Sequence, residues 1–232
     1  IQQYEKVNFI DAVKKLAERA GIPIIFHEES LEKDREREEF YVLNEFAANY
    51  FQNILNSEFG KIGKEYFISR DITEETINKF KLGFSLNSFD HFVNYSQKQK
   101  VDLEKLFIIG LIGKRDDGSY FDIFRGRIIF PITNTYGKLV GFGARKLFEN
   151  DDSGKYINSK ESLIYNKSKI LYGLSFSKEE IRKSDSAILV EGYMDFLTLY
   201  QNGIRNIVAS SGTALTNDQV KILKRYTKNI LF

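Results

Sequence analysis

Two carboxylates and a dispersed set of cations are the residues whose types and spacing suit chemistry. In AILVEGYMDFLTLY, Ala187 to Tyr200, four apolar residues run straight into Glu191, Gly192 follows, and Asp195 stands four residues after Glu191. A short apolar run of this kind reads as a buried strand, so the chain delivers an acid to a strand end. Gly192 lets the backbone turn sharply there. Asp195 lies about one helical turn on, so both acids can point at one ion. A carboxylate so placed suits a Mg2+ or Mn2+ ligand or a proton-transfer group. It equally suits a helix start, where an acid facing the macrodipole contributes under about 1 kcal/mol. Spacing alone leaves both readings open. Arg125, Arg127, Arg145, Lys155, Lys167 and Lys169 all fall within residues 125–169. Separated cations of this kind suit a polyanion, the plainer alternative being solvated surface charge.

The elements that must hold these residues are readable from periodicity. AILV is a strand, Met194 to Tyr200 continues as a helix, and NIVAS (206–210) is a second strand. Thr216 with Gln219 forms a capping box that starts a helix through Val220, Leu223 and Thr227, and Asn229 to Phe232 begins a third strand. Strand, helix, strand, helix, strand predicts parallel crossovers and a sheet covered on both faces. Ligands gather at the carboxyl ends of such strands. Glu191 and Ser210-Ser211-Gly212-Thr213 therefore share one edge. Upstream, RIIFPITNTYGKLVGFGAR (127–145) reads as a hairpin turning near Gly137. Helices are expected over Asn8 to Ala20, with Phe9, Val13, Leu16, Ala17 and Ala20 on one face, over about four turns from Phe40, and within ITEETINKF (72–80). HEESLEKDREREE (27–39) reads as a linker or a solvated helix start. The fold class expected is α/β: a mixed α+β subdomain, then a parallel βαβαβ unit.

Composition sets outer limits. Apolar residues make up 42 % of 232, enough for a core. There is no cysteine and the two histidines, His27 and His91, lie far apart, so neither a disulfide framework nor a zinc site is expected within the chain. No run approaches the ~20 apolar residues of a membrane helix. The chain opens on Ile and shows no signal-peptide pattern, which fits a piece of a longer, soluble, cytoplasmic protein. Residues 1–60 carry 7 basic and 12 acidic side chains, whereas residues 61–185 carry 22 and 17. The middle of the chain is where a polyanion is tolerated.

VEGYMD resembles the first motif of the Toprim domain, and Glu191 followed by Gly192-Tyr193-Met194-Asp195 resembles the bacterial replicative primase (DnaG) family in particular. FRGRIIFPI (124–132), GFGAR (141–145), KYINS (155–159) and YFISRDITEETINKFKLGF (66–84) resemble that family's successive motifs, in order. Asp71 departs from the pattern, standing where the family usually has Gly. The resemblance implies a tail of the zinc-binding domain over 1–26, a linker over 27–39, the basic subdomain of the primase core over 40–185, and a truncated Toprim subdomain over 186–232. It implies RNA primer synthesis on single-stranded DNA by two-metal nucleotidyl transfer. Glu191 is then the catalytic residue, and Glu191 with Asp195 the Mg2+ or Mn2+ ligands. Arg70, Arg125, Arg127, Arg145, Lys155, Asn158, Lys167 and Lys169 would bind nucleotide or nucleic acid. Implied partners are ribonucleoside triphosphates, single-stranded DNA, the RNA primer/DNA hybrid and, through a C-terminal domain outside this chain, the replicative helicase. Zinc is implied only for a domain outside it. The Asp-x-Asp motif expected after the third Toprim strand is missing, so these 232 residues alone are expected not to prime. Another Toprim nuclease or topoisomerase, or a non-catalytic single-strand-binding module, are the competing classes.

Overall fold

The computed structural model describes residues 9–22, 28–148, 154–212 and 215–232. Two compact units emerge, Ile1–Glu38 and Glu39–Phe232. In the first, helix α1 spans Phe9–Ala20. Ala12 and Ala17 are buried in it, while Leu16, expected on the apolar face, is 53 % exposed. The cap expected at Asn8 lies outside the described residues. Helix α2 spans Glu28–Asn56 and crosses the boundary between the units. The 28–39 stretch thus takes the solvated-helix form.

In the second unit α2 buries Phe40, Leu43, Ala47, Tyr50 and Phe51. Helices α3 (Lys61–Ile68) and α4 (Glu74–Lys79) follow, the latter capped by Thr73 Oγ1, which accepts from Thr76 N. Asp71, between them, has φ 56°. That is the left-handed region a glycine would favour and aspartate tolerates, so the departure at Asp71 preserves the turn. Strand β1 (Gly83–Ser85), helices α5 (His91–Lys98) and α6 (Leu103–Ile108), and the hairpin β2 (Ile112–Lys114) and β3 (Tyr120–Asp122) come next.

The central hairpin is β4 (Arg127–Thr133) and β5 (Leu139–Lys146). Its turn is closed by the Asn134 side chain, whose Oδ1 accepts from Tyr136 N and Lys138 N, and by Gly137 at φ 82°. With β6 (Tyr156–Asn158) it forms an antiparallel sheet in the order β1-β4-β5-β6. Pro131 sits inside β4 without harm because β1 pairs only as far as Ile129, leaving no ladder partner for the missing N–H on that side. Both faces are covered. Ile129, Phe142 and Ala144 pack with Phe40, Phe51 and Phe92. Ile128, Phe130 and Ile132 face the other way, packing with Tyr193, Phe196 and Ile207.

Those last residues belong to the parallel unit. Helix α7 (Leu174–Ser184) leads to β7 (Ala187–Val190), α8 (Tyr193–Gln201), β8 (Ile207–Ala209), α9 (Asn217–Leu223) and β9 (Ile230–Leu231). The strands pair in parallel in the order β8-β7-β9. Ala187, Leu189, Val208 and Leu223 close one face with α7 and α9. The capping box at Thr216 and Gln219 forms as expected. Helix α9 ends at Leu223, short of Thr227, which is buried and hydrogen-bonds Asp185 Oδ1 at 3.0 Å. Among the described residues no helix is long and apolar enough to cross a membrane.

Candidate functional site

Glu191 leaves the end of β7 with its side chain exposed. Its backbone carbonyl accepts from Ser211 N at 2.9 Å and Gly212 N at 3.3 Å, so the ends of β7 and β8 remain side by side past the ladder. Ser211 and Gly212 turn the chain away at φ 61° and 79°; Thr213 lies outside the described residues. A cleft at this edge is lined by Val190, Glu191, Ser210, Gly212, Leu215 and Phe232. Asp195, one turn into α8, is exposed, and its Oδ2 accepts from Gly192 N at 3.1 Å. The helix-capping role is therefore real for Asp195. The pair offers hard oxygen donors of the kind Mg2+ and Mn2+ prefer. Among the described residues no group of three or more acids or histidines is close enough to hold a metal; the fit is one of donor type, with few donors.

Between these acids lies Tyr193, and its seat explains two glycine-bearing motifs together. Phe130, Gly143 and Asn158 form one row across β4, β5 and β6. The Tyr193 ring lies along that row. It stacks on Phe130 (centroids 4.8 Å, 9°), takes Tyr172 edge-on at 4.8 Å, and its Oη meets the Asn158 amide at 2.6 Å. Gly143 leaves the room: a Cβ there would stand 2.5 Å from Tyr193 Cε2, and nearer still to Cζ and Oη. Burial holds the Tyr193 phenol protonated, far above its ordinary range. Turning the Asn158 amide so that its nitrogen donates to Tyr193 Oη and the Ile157 carbonyl lets its oxygen accept from Lys167 Nζ at 3.1 Å. That orientation satisfies both ends of the amide and joins Asn158 to Lys167.

A second cluster adjoins it. Arg145, at the end of β5 and opposite Tyr156 on β6, places its guanidinium 4.6 Å from the centre of the Tyr66 ring. Arg70 lies 5.8 Å from the same Tyr66 ring. Burial raises both phenols, and the arginines oppose that shift. Asp195 is near enough to add to the rise at Tyr156, whose ring is 6.3 Å from that of Tyr193. Tyr156 thus stands between Arg145, its register partner, and Tyr193 on the acid edge. Lys155, next to it, is exposed, as is Lys169 on its 3-10 turn (Lys167–Lys169).

Two arginines stand apart. Arg125 donates to the Asp122 carbonyl at 2.8 Å and covers Phe89 at 4.4 Å, sharing none of these partners. Arg127 corrects the sequence reading of a phosphate-facing cation. It is 1 % exposed, between β1 and β5, and its Nη1 donates to the Gly154 carbonyl at 3.1 Å. A guanidinium so enclosed supports the sheet end. Sequence reasoning did not single out Tyr66, Tyr156, Tyr193 or Gly143. A glycine alternating with bulky residues in a strand was the available signal, since it marks close approach by another group.

A parallel βαβαβ unit with an acid at the end of its first strand is the arrangement of the Toprim class, joined here to an antiparallel sheet through a shared core. The family model for the DNA primase catalytic core, N-terminal domain, matches residues 50–178, and a Toprim-like model matches 188–232. The chain belongs to the DNA primase catalytic-core family. It is 39 % identical to the DNA primase of Halalkalibacterium halodurans, over 100 % of this chain and 39 % of that protein. The chain thus spans well under half the length of that curated relative. Among solved structures, the RNA polymerase domain of Mycobacterium tuberculosis primase DnaG, in complex with a double-stranded DNA oligomer with a 6-nucleotide overhang, is 32 % identical with a TM-score of 0.77, covering 82 % of this chain and 59 % of that one. The DnaG primase catalytic domain bound to ssDNA is also 32 % identical, TM-score 0.76, covering 85 % and 63 %.

Proposed function

We propose that this chain carries part of the RNA-polymerising core of a DNA primase, which joins ribonucleotides on a single-stranded DNA template. The observation that carries the reading is that Arg145 stands opposite Tyr156, whose ring lies 6.3 Å from that of Tyr193, which falls between Glu191 and Asp195: a cation for phosphate beside acids at a strand end. Arg145, Arg70, Lys155, Lys167 and Lys169 bind template or triphosphate phosphates, and Asn158 orients Lys167. Glu191 and Asp195 hold a divalent ion, Mg2+ or Mn2+, which when bound lowers the charge barrier to phosphoryl transfer. Residues 40–185 form the basic subdomain and 186–232 the start of the Toprim subdomain, preceded by a zinc-domain tail over 1–26 and a linker over 27–39. Ribonucleoside triphosphates, the primer hybrid and the replicative helicase are the partners of the full-length protein.

The test is incorporation of labelled ribonucleotide on single-stranded DNA by the full-length protein that carries these residues, with Glu191→Gln beside it. The substitution keeps shape and removes charge, so primer synthesis falls by orders of magnitude while Tm stays put. Synthesis near the wild-type rate would leave Glu191 as a helix-end acid and remove the basis of the proposal.

A further inference from the structure

Cations that bind phosphate face a conflict. A guanidinium must be held still, yet the usual partner that holds one, a carboxylate, cancels the charge it is there to supply. Arg145 and Arg70 are held another way. Both address one aromatic ring, Tyr66, at 4.6 and 5.8 Å, and Arg145 also stands opposite Tyr156 in the β5–β6 register. Among the described residues neither guanidinium is paired with a carboxylate, although ion pairs such as Lys81–Glu45 and Lys114–Glu104 are formed elsewhere in the same unit. A ring attracts a cation through its quadrupole and leaves the net charge intact.

Tyr66 is itself fixed. It is half-buried on α3, packs against the main core, and meets the Phe67 ring at 5.8 Å. It stands where α3 passes the end of β5, so it ties Arg145, which the sheet supplies, to Arg70, which the turn after α3 supplies. Ordering two arginine side chains in advance removes an entropic cost that binding would otherwise meet.

We propose that Tyr66 is a positioning residue: its ring fixes Arg145 and Arg70 without neutralising them and presents both, pre-ordered, to phosphate. This rests on the primase reading for the identity of the ligand, but its test does not depend on catalysis. Binding of a ribonucleoside triphosphate and of a single-stranded oligonucleotide is measured separately on the full-length protein. Tyr66→Phe keeps the ring and stays within about twofold of wild type. Tyr66→Leu removes it and weakens binding by about three- to tenfold, with KM raised and kcat within about twofold. Which arm weakens identifies whether the pair meets triphosphate, template backbone or both. In a background already carrying Arg70→Ala and Arg145→Ala, Tyr66→Leu costs nothing more. Pentafluorophenylalanine at position 66 keeps the shape and reverses the quadrupole, so it reproduces the loss even where Tyr66→Leu fails to fold. Unchanged affinity in both arms, or a loss that persists in the arginine-free background, would overturn the proposal. A wild-type protein that binds both ligands but incorporates no ribonucleotide would count against the primase reading and leave this one standing.

Discussion

Gly143→Ala adds one methyl group at the place where the two halves of the protein interlock. The new Cβ stands 2.5 Å from Tyr193 Cε2 and closer to two further ring atoms, about 1 Å inside ordinary contact distance. The ring has nowhere to go. Phe130 lies flat beneath it, Tyr172 meets it edge-on, and its hydroxyl is tied to Asn158. Overpacking of this kind costs about 1–3 kcal/mol, and losing the phenol hydrogen bond adds about 1 kcal/mol. For a unit of this size each kcal/mol lowers Tm by about 2–4 °C, so thermal unfolding shifts down by about 5–15 °C. Because Tyr193 is the first residue of α8 and follows Glu191-Gly192, its displacement also reorients the acid edge. On the function proposed above, ribonucleotide incorporation by the full-length protein therefore falls at temperatures where the variant is still folded. Tyr193→Leu removes the clashing atoms, so combined with Gly143→Ala it recovers most of the added loss. A Tm within 1 °C of wild type, or strict additivity in that double variant, would refute the seat as described.

Arg127→Ala is expected to lower stability by about 1.5–3 kcal/mol, read by denaturant titration, whereas Arg145→Ala leaves stability nearly unchanged and weakens phosphate binding. A surface role for Arg127 would reverse that pattern. Asp122 is buried and its two oxygens accept from Phe92 N and Val93 N at the start of α5, with burial raising its pKa above the ordinary carboxylate value. A raised folded pKa means the native state holds the proton longer than the unfolded chain, so this group's stability is present at low pH and lost as pH rises through that window. The stability of the wild type relative to Asp122→Asn should fall from about pH 4 upward; a rise would contradict the burial argument.

Much of the parallel unit was legible because its signals are local. A four-residue apolar run, a glycine, a capping box and the alternation of strand and helix each lie within a few residues. What failed to read was non-local or masked by composition. FRGR presents Arg125 and Arg127 as residues i and i+2, which an extended chain would point the same way. Gly126 at φ 58° interrupts the extension between them, and β1 then covers Arg127 from a stretch some forty residues away. The charged start of α2 has helix-forming Glu, Lys and Arg but no apolar stripe, so periodicity could not mark it. Tyr66, Tyr156 and Tyr193 acquire their roles only when three separate elements converge, and nothing near them in sequence records that.

The two readings that spacing left open for the acids turn out not to compete at Asp195. One of its oxygens accepts from Gly192 N and begins the helix, which fixes the direction in which the carboxylate points. A carboxylate has acceptor capacity on both oxygens, so a cap made by one leaves the other to meet an ion. Metal ligands are commonly oriented by a hydrogen bond of this kind from their surroundings. Gly192 is the residue that makes the arrangement possible, since a Cβ there would stand 2.9 Å from the same Oδ2. The spacing from Glu191 to Asp195 thus combines a strand end, a turn without a side chain, and an acid in the first turn of α8 that its cap holds in place.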